Sequence, residues 1–387
     1  MDAYIVDVVR SAGGRRKGAL SGTHPADIGG LVLDALVTRT GVDPCKVEDV
    51  IFGCVTKAGE QSFAIGRSCV LASAQLPDTT PAVTIDRQCG SSQQSVQFAA
   101  QAVMSGTQDI VIAGGVENMT RVPMQSDFRL HEKAQIGQGP WSKSILERYG
   151  VAEFSQFIGA DMIAKKHGFN RQQLDEFAVA SHQKAAQAVK ANAFADEIIV
   201  IDTEAGPLNQ DEGIRLDCSM AGLADLDTIL PDGFHTAGNA SQMCDGASAA
   251  LIVSERALKQ YGFKPIAKIK SFTVTAGDPV IMLEEPIRAT QVALERAGMA
   301  IGDIDLFEVN EAFASVPMAW LKDTGADAAK LNVNGGAIAL GHPLGATGTK
   351  LMSTLAYALR NRNLKYGLQV MCEGGGVANV TILESMS

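Results

Sequence analysis

The fold is decided by a stretch that occurs twice, LVLDALVTRTGVDPCKVEDVIFGCVT (residues 31–56) and ATQVALERAGMAIGDIDLFEVNEAFA (residues 289–314). Each copy has the apolar spacing of a helix, then a glycine, an acidic turn and a short apolar strand. A second pair, residues 88–115 and 339–376, runs in each copy through a Gly-rich elbow, a helix, a strand and a run of glycines. The repeat predicts an α/β fold of two related halves, each with a mostly parallel sheet covered by helices. The alternative is that the similarity is a chance one between Ala- and Gly-rich helices.

One long segment, from Arg121 to about Gln242, fits neither copy. It is polar, and its clearest element is an amphipathic helix predicted over residues 171–191, with Asn170 as N-cap. Its 11 Lys and Arg stand against 17 Asp and Glu, so it is not a basic surface. We expect it to be an excursion that covers the site, where a phosphate group would depend on a few local cations and backbone N–H groups.

Composition narrows the class of protein. The 387 residues are 46% hydrophobic and 20% charged, which excludes a disordered chain, and the formal net charge of −10 disfavours a nucleic acid or an anionic membrane as partner. The seven cysteines are odd in number and form no CxxC pair, which disfavours a disulfide framework and favours a cytoplasmic location. No uncharged apolar run is long enough to span a membrane.

Cys89 is the first candidate for chemistry. It lies between a predicted strand (residues 82–85) and a helix, directly before Gly90. A thiol at a helix N-terminus is stabilised as the thiolate by the helix dipole, and we expect Gly90 to allow a sharp turn that exposes the side chain. This arrangement is typical of a nucleophile elbow, although a buried and inert cysteine is the alternative.

Three further residues stand at the ends of predicted elements. His342 is the one histidine of six enclosed by glycines, within NGGAIALGHPLGATG (334–348), and it could act as base, acid or hydrogen-bond donor. Cys372 closes a strand before Glu373 and three glycines, whose backbone N–H groups could face an oxyanion. Asn310 ends another strand and could hold a water or a carbonyl oxygen, or be a simple turn residue.

Other motifs are excluded by their spacing. The chain has no GxSxG, no HExxH and no GxGxxG after a strand, and no second ligand stands at metal-binding distance from His342. The stretch GATGTK (345–350) separates its last glycine from Lys350, so it is not a phosphate loop. No metal is therefore expected.

Five ordered motifs now resemble the thiolase family over nearly the whole chain. They are QCGSSQQ around Cys89, GGVENMTRVPM (114–124), NEAF (310–313), GGAIALGHPLGATG (335–348) and CEGGG (372–376). The resemblance implies two βαβαβαββ halves that form a five-layer α-β-α-β-α core with an inserted loop domain. It divides the chain into an N-terminal half (1–120, completed by about 243–264), a loop domain covering the coenzyme A site (121–242) and a C-terminal half (265–387).

The resemblance also assigns roles. It makes Cys89 the nucleophile that takes the acyl group, His342 its activator, and Cys372 the acid/base at the α-carbon. Asn310 would hold the water that completes the first oxyanion site with His342, while the amides of Cys89 and Gly374 would form the second. One cysteine cannot be both acyl carrier and base, which gives the second thiol a reason to exist.

The implied substrates are an acyl-CoA and CoA, with no tightly bound cofactor. Ser241 and Arg215 match positions that contact coenzyme A in relatives, and the resemblance suggests a homodimer or homotetramer. Thiolases that form acetoacetyl-CoA place a histidine where this chain has Phe157. That departure favours thiolysis of a longer or bulkier 3-oxoacyl-CoA, as in bacterial breakdown of fatty acids or steroid side chains.

Three alternatives remain at this point: an acetoacetyl-CoA-forming biosynthetic thiolase, a decarboxylating condensing enzyme of the ketoacyl-synthase type, and a non-catalytic acyl-CoA or lipid-binding protein on the same scaffold. Ketoacyl synthases need no second cysteine at the base position, so Cys372 argues against the second. A binding protein would require the loss of a reactive residue, and all four are present.

Overall fold

A computed structural model describes residues 2–386. The strands are β1 Ala3–Ser11, β2 Gly14–Arg15, β3 Asp49–Gly53, β4 Ala82–Ile85, β5 Ile110–Asn118, β6 Ile198–Ile199, β7 Ile201–Thr203, β8 Gly206–Leu208, β9 Cys244–Ser254, β10 Ala267–Ala276, β11 Leu306–Val309, β12 Tyr366–Glu373 and β13 Val377–Ser385. The α-helices are α1 Pro25–Thr40, α2 Ile65–Ala72, α3 Ser91–Ser105, α4 Leu130–Ala134, α5 Lys143–Tyr149, α6 Gln156–His167, α7 Arg171–Lys190, α8 Met220–Ala224, α9 Glu255–Tyr261, α10 Pro286–Ala297, α11 Ser315–Thr324, α12 Ala337–Leu340 and α13 Thr347–Asn361. None of the helices within these residues is both long and apolar enough to cross a membrane.

The strands pair in the same way in the two halves, which confirms the predicted duplication. In the first half β3 lies parallel to β4 and β5, and β9 lies antiparallel between β5 and β1. In the second half β11 is parallel to β12, and β13 lies antiparallel between β12 and β10. Leu331 forms a single parallel bridge to Phe307 at the place that β4 occupies in the first half. A short contact between β1 and β10, at Tyr4 and Ile5, joins the two sets of strands.

The apolar side chains form the five layers that the fold class requires. One core packs α1 and α2 against one face of the first sheet, with Leu33 and Phe52 fully buried. A second core fills the space between the sheets, where α3 and α13 pack on each other and on strands of both halves. A third core packs α10 and α11 on the outer face of the second sheet around Trp320. The helices that follow the two Gly-rich elbows are thus the central layer.

The excursion over residues 121–242 is largely helical. Helix α7 begins at Arg171, and Asn170 is its N-cap, as the sequence suggested. Asn170 also forms a capping box with Gln173. Helix α6 packs on α11 and α7 packs on α12, so both lie on elements of the second half. Strand β6 instead pairs with the end of β1. The domain limits at residues 120, 242 and 264 remain a prediction.

Candidate active site

Cys89 lies in a tight turn directly before α3, as predicted, but the turn is built differently. The left-handed residue is Gln88, with φ 49°, whereas Gly90 has φ −90°, which any residue can adopt. Gly90 is needed for space instead: an added Cβ would lie 2.5 Å from Cδ of Glu373 and nearer still to its Oε1. The expectation that Gly90 supplies the sharp turn was therefore wrong.

The Cys89 thiol is enclosed rather than exposed. It is buried in a small apolar cluster with Val55, Met119 and Met371. Burial raises the pKa of the Cys89 thiol well above its ordinary value, and Cys372 and Glu373 raise it further. The direction is opposite to the one expected from the helix N-terminus. The resting group is the neutral thiol, so attack on a carbonyl requires a base.

His342 has the tautomer and the protonation state that such a base requires. Its Nδ1 lies 2.5 Å from Oγ1 of Thr347, and the Thr347 hydroxyl donates its only proton to the carbonyl of Pro343 at 2.8 Å. The hydroxyl can therefore only accept from the ring, which puts the ring proton on Nδ1 and a lone pair on Nε2. Burial, with a contribution from Lys350, lowers the pKa of His342 to about 3. The imidazole is neutral, and its Nε2 carries the lone pair that can take a proton.

Asn310 connects His342 to the second thiol. The Asn310 Nδ2 lies 3.4 Å from Nε2 of His342, and the Asn310 side chain also hydrogen-bonds to Cys372. The position is fixed by the backbone, because the Asn310 N–H donates to the Val370 carbonyl at 3.1 Å. The Asn310 Oδ1 is buried without a partner, which leaves an acceptor for a polar ligand atom.

Cys372 lies one residue before the end of β12 and faces an apolar cluster that includes Ala312 and Phe313. Burial raises the pKa of the Cys372 thiol to about 12, and Glu373 adds to the rise. This thiol also rests in its neutral form. It is therefore a proton donor first and becomes a base only after it has given its proton away.

The glycines after Cys372 bring the two cysteine turns together. Gly375 and Gly376 have φ 86° and 76°, so the hairpin between β12 and β13 uses conformations that favour glycine. An added Cβ on Gly374 would lie 3.0 Å from Oε1 of Gln88. Gly374 thus lies against the turn that carries Cys89, although the two are distant in sequence. The structure brings Asn310, His342 and Cys372 into contact and sets the Cys89 turn beside them.

The two predicted coenzyme A residues lie at different depths. The Ser241 N–H donates to the Ala312 carbonyl at 2.9 Å, which puts Ser241 beside the NEAF segment. Arg215 is exposed, and its backbone N–H donates to Nδ1 of His182 at 3.1 Å. The two segments meet where Gln242 Nε2 donates to the Gly213 carbonyl at 2.8 Å. The segments that carry Ser241 and Arg215 are therefore neighbours in the fold, and their contact with coenzyme A remains a prediction.

Lys350 is a residue that the sequence reasoning left without a role. Its Nζ is buried and donates to the carbonyls of Leu340 and Gly341, the two residues before His342, the second at 3.2 Å. Asp211, itself bound by Arg10, lies 3.7 Å from the same Nζ. In the sequence, Lys350 could have been noticed from its spacing, because a residue three positions after Thr347 lies on the same face of the helix.

Glu117, in the GGVEN motif, was also missed. Its carboxylate is fully buried and accepts from the backbone N–H groups of Val55, Thr56 and Gly345 at 2.9 to 3.0 Å, and from Gln61 Nε2 at 2.9 Å. Val55 follows β3 in the first half, whereas Gly345 belongs to the His342 loop of the second. One carboxylate therefore fixes the two loops relative to each other. In the sequence, Glu117 could have been noticed as an acidic residue inside an otherwise apolar predicted strand.

Residues 2–386 contain no group of three or more His, Cys, Asp or Glu side chains that could hold a metal ion. The seven cysteines, all within the described range, are free thiols. The reactive groups of the site are thus two thiols, one imidazole, one amide and backbone N–H groups.

A duplicated α/β scaffold that holds two buried thiols and a neutral imidazole defines the class of the protein. The family model described as "Thiolase, N-terminal domain" matches residues 3–256, and the family model described as "Thiolase, C-terminal domain" matches residues 263–385. The chain belongs to the thiolase family and is an acyltransferase with CoA as co-substrate.

Two curated relatives and one solved structure show how far the similarity extends. The chain is 50% identical over 388 residues to the steroid 3-ketoacyl-CoA thiolase FadA6 of Mycobacterium tuberculosis, covering 100% of this chain and 94% of the relative. It is 38% identical to a 3-ketoacyl-CoA thiolase of Bacillus subtilis, over 99% of each chain. The crystal structure of the Bacillus anthracis acetyl-CoA acetyltransferase superposes with a TM-score of 0.89 at 32% identity, over 99% of this chain and 98% of that chain.

Proposed function

We propose that the protein cleaves a 3-oxoacyl-CoA with CoA, giving acetyl-CoA and a shortened acyl-CoA through a thioester on Cys89. The observation that carries the proposal is the connection of one buried neutral thiol, Cys372, to a neutral imidazole through Asn310, with the second buried thiol, Cys89, close enough to Cys372 to be influenced by it. Such a set can hold an acyl group on one sulfur while the other sulfur moves a proton. The names of the two curated relatives, both 3-ketoacyl-CoA thiolases, support the same reaction.

The first half-reaction begins with proton transfer. The Nε2 of His342 takes the proton of Cys89, and the sulfur attacks the C3 carbonyl of the substrate. The C2–C3 bond then breaks, the acyl group stays on Cys89, and the departing acetyl-CoA carbanion takes the proton of Cys372. His342 and a water on Asn310 would hold the thioester oxygen as negative charge develops, and the Asn310 Oδ1 without a partner supports this role.

The second half-reaction restores both thiols. The Cys372 thiolate takes the proton of the incoming CoA thiol, and the CoA sulfur attacks the acyl group. The N–H groups of Cys89 and Gly374 would stabilise the oxyanion of this tetrahedral intermediate. Cys89 leaves as a thiolate and recovers its proton from the His342 imidazolium. Protons and electron pairs balance over the cycle without any further reactant.

The substrate is, on this proposal, longer or bulkier than acetoacetyl-CoA. Phe157, at the place where acetoacetyl-CoA-forming enzymes carry a histidine, packs edge-on to Phe313 with ring centroids 5.8 Å apart. Both belong to the apolar cluster around Cys372, so this side of the site suits hydrocarbon better than a polar group. The steroid thiolase named above supports a steroid side chain as one candidate substrate. The biosynthetic alternative predicts instead a preference for acetoacetyl-CoA.

Trapping the acyl group tests the proposal. Incubation with a 3-oxoacyl-CoA without added CoA should add the acyl mass to the peptide containing Cys89, and Cys89→Ala should remove both the label and turnover. Cys69→Ala is the matched control, because Cys69 is equally buried but packs among α1 and α2, outside the site. Full turnover by Cys89→Ala would reject the proposed nucleophile. Tight acyl-CoA binding without acyl exchange in the wild type would favour a binding protein.

We also propose that the chain forms a homo-oligomer in the cytoplasm. Strand β4 lies at one end of the strand order and exposes Val83, and Phe63, two residues before α2, is 91% exposed. An apolar sheet edge of this kind favours pairing with a second copy. The free thiols are consistent with a reducing compartment. Light scattering on the wild type and on Val83→Lys would detect a mass above one chain that the substitution reduces.

A further inference from the structure

Glu373 is a buried acid that the proposed reaction does not use. Its side chain is fully shielded from solvent, and neither carboxyl oxygen has a hydrogen-bond partner. Alternation along β12 turns it away from the cluster that Cys372 faces and towards the start of α3. There it lies against Gly90, so close that an added Cβ would overlap it. The Glu373 carboxyl group therefore packs against the turn that carries Cys89, and Glu373 is also the residue that follows Cys372 in the chain.

The charged groups around this carboxyl are few. Arg87, in the same turn as Cys89, is the cation that acts on Glu373, and its Nε is buried without a partner. Asp86 is further out and is paired with Lys57 at 2.6 Å. From β13, the neutral Asn379 donates to the Gly90 carbonyl at 3.3 Å.

On the far side of Cys89 the buried Glu117 is held by three backbone N–H groups and Gln61. His342 is neutral, as described above. Arg87 thus acts on Glu373, and Glu373 in turn acts on the two buried thiols.

We propose that Glu373 is a positioning residue that controls the ionisation of Cys89 and Cys372, an inference that rests on the proposed roles of the two thiols. An ionised carboxylate at this place opposes a thiolate on either sulfur, because the charges are of one sign and lie in a region from which water is excluded. A neutral carboxyl does not. Glu373 and the two thiols therefore ionise as a coupled set, and each thiolate forms most readily while Glu373 keeps its proton.

Glu373→Gln tests this, because glutamine has nearly the same shape and cannot ionise. The rate constant for alkylation of Cys89 by iodoacetamide would be measured from pH 6 to 10 by peptide mass spectrometry. In the wild type the rise with pH should be shallow, because any ionisation of Glu373 as the pH rises opposes formation of the Cys89 thiolate. In Glu373→Gln it should be steeper and displaced to lower pH, with a rate about tenfold higher near pH 9, which corresponds to about one pKa unit.

Two further variants separate electrostatics from damage to the fold. Arg87→Gln removes the cation that favours ionised Glu373, so Glu373 keeps its proton more readily and the alkylation profile should move to lower pH, as in Glu373→Gln. Glu308→Gln is the matched control: Glu308 is also a buried acid with an oxygen that lacks a partner, but its neighbours are Glu311, Glu197 and Lys184 instead of the thiols. It should leave the profile unchanged.

Coincident profiles for the wild type and Glu373→Gln would overturn the inference, as would shifts of opposite sign in Glu373→Gln and Arg87→Gln. Acylation of Cys89 by substrate is measured separately. Retained acylation together with coincident profiles rejects the role of Glu373 alone, whereas loss of the acyl label in the wild type rejects the proposed function.

Discussion

Substitution of Gly90 by alanine isolates the contact between the two halves behind Cys89. The new Cβ would lie 2.5 Å from Cδ of Glu373, and carbon atoms in contact lie about 3.5 to 4.0 Å apart, so the groups must separate by about 1 to 1.5 Å. Since φ is −90°, the backbone itself imposes no cost. Overpacking of this kind costs about 1 to 3 kcal/mol of unfolding free energy, and urea unfolding followed by circular dichroism would measure it.

A double-mutant cycle makes that prediction specific. In a Glu373→Ala background the obstacle is gone, so Gly90→Ala should cost less there, and the difference between the two backgrounds should be about 1 kcal/mol or more. Gly302→Ala is the control, because an added Cβ on Gly302 meets no atom within 4 Å. Equal costs in both backgrounds would refute the steric reasoning. So would a Gly90→Ala variant as stable as the wild type.

Two other perturbations address His342. Lys350→Met releases the carbonyls of Leu340 and Gly341, and a displacement of the imidazole by about 1 Å should lower kcat about 100-fold. Lys330→Met, which removes a comparable bond to a carbonyl elsewhere, should retain kcat. Because the pKa of His342 is about 3 and the pKa of Cys89 is raised, both residues of the reactive pair are neutral near pH 7. The rate of single-turnover acylation should therefore vary little from pH 5 to 8. A tenfold fall in this rate per pH unit below pH 7 would contradict the neutral pair. The unfolded chain binds the extra proton between pH 6.5 and 3, so stability is lost as the pH falls through that window. Acid titration of His342→Gln should show a loss smaller by up to about 5 kcal/mol.

The duplication and the site residues were readable from the sequence because each rests on local pattern. The helix, glycine, turn and strand order of residues 31–56 and 289–314 predicted the same strand pairing in both halves. Likewise, Cys89, His342 and Cys372 were each found at a Gly-rich strand end or elbow.

The interactions between these loops were not readable, because they join residues far apart in the chain. Glu373 lies against Gly90, and Glu117 binds Gly345, only because α3 and α13 pack together between the sheets. The direction of the Cys89 pKa was wrong for the same reason. The influence of a helix end is limited to its first turn, whereas burial depends on the whole assembled core.

The place of β9 has a consequence for synthesis on the ribosome. This strand lies between β1 and β5 but is made only after the excursion, so 136 residues separate the end of β5 from the end of β9. At about 5 to 20 residues per second, the nascent first sheet waits roughly 7 to 27 s for its central strand. During that interval β5 offers an open edge and β1 has no neighbour from its own half. We therefore expect the emerging chain to need a holding chaperone until residue 254 leaves the exit tunnel.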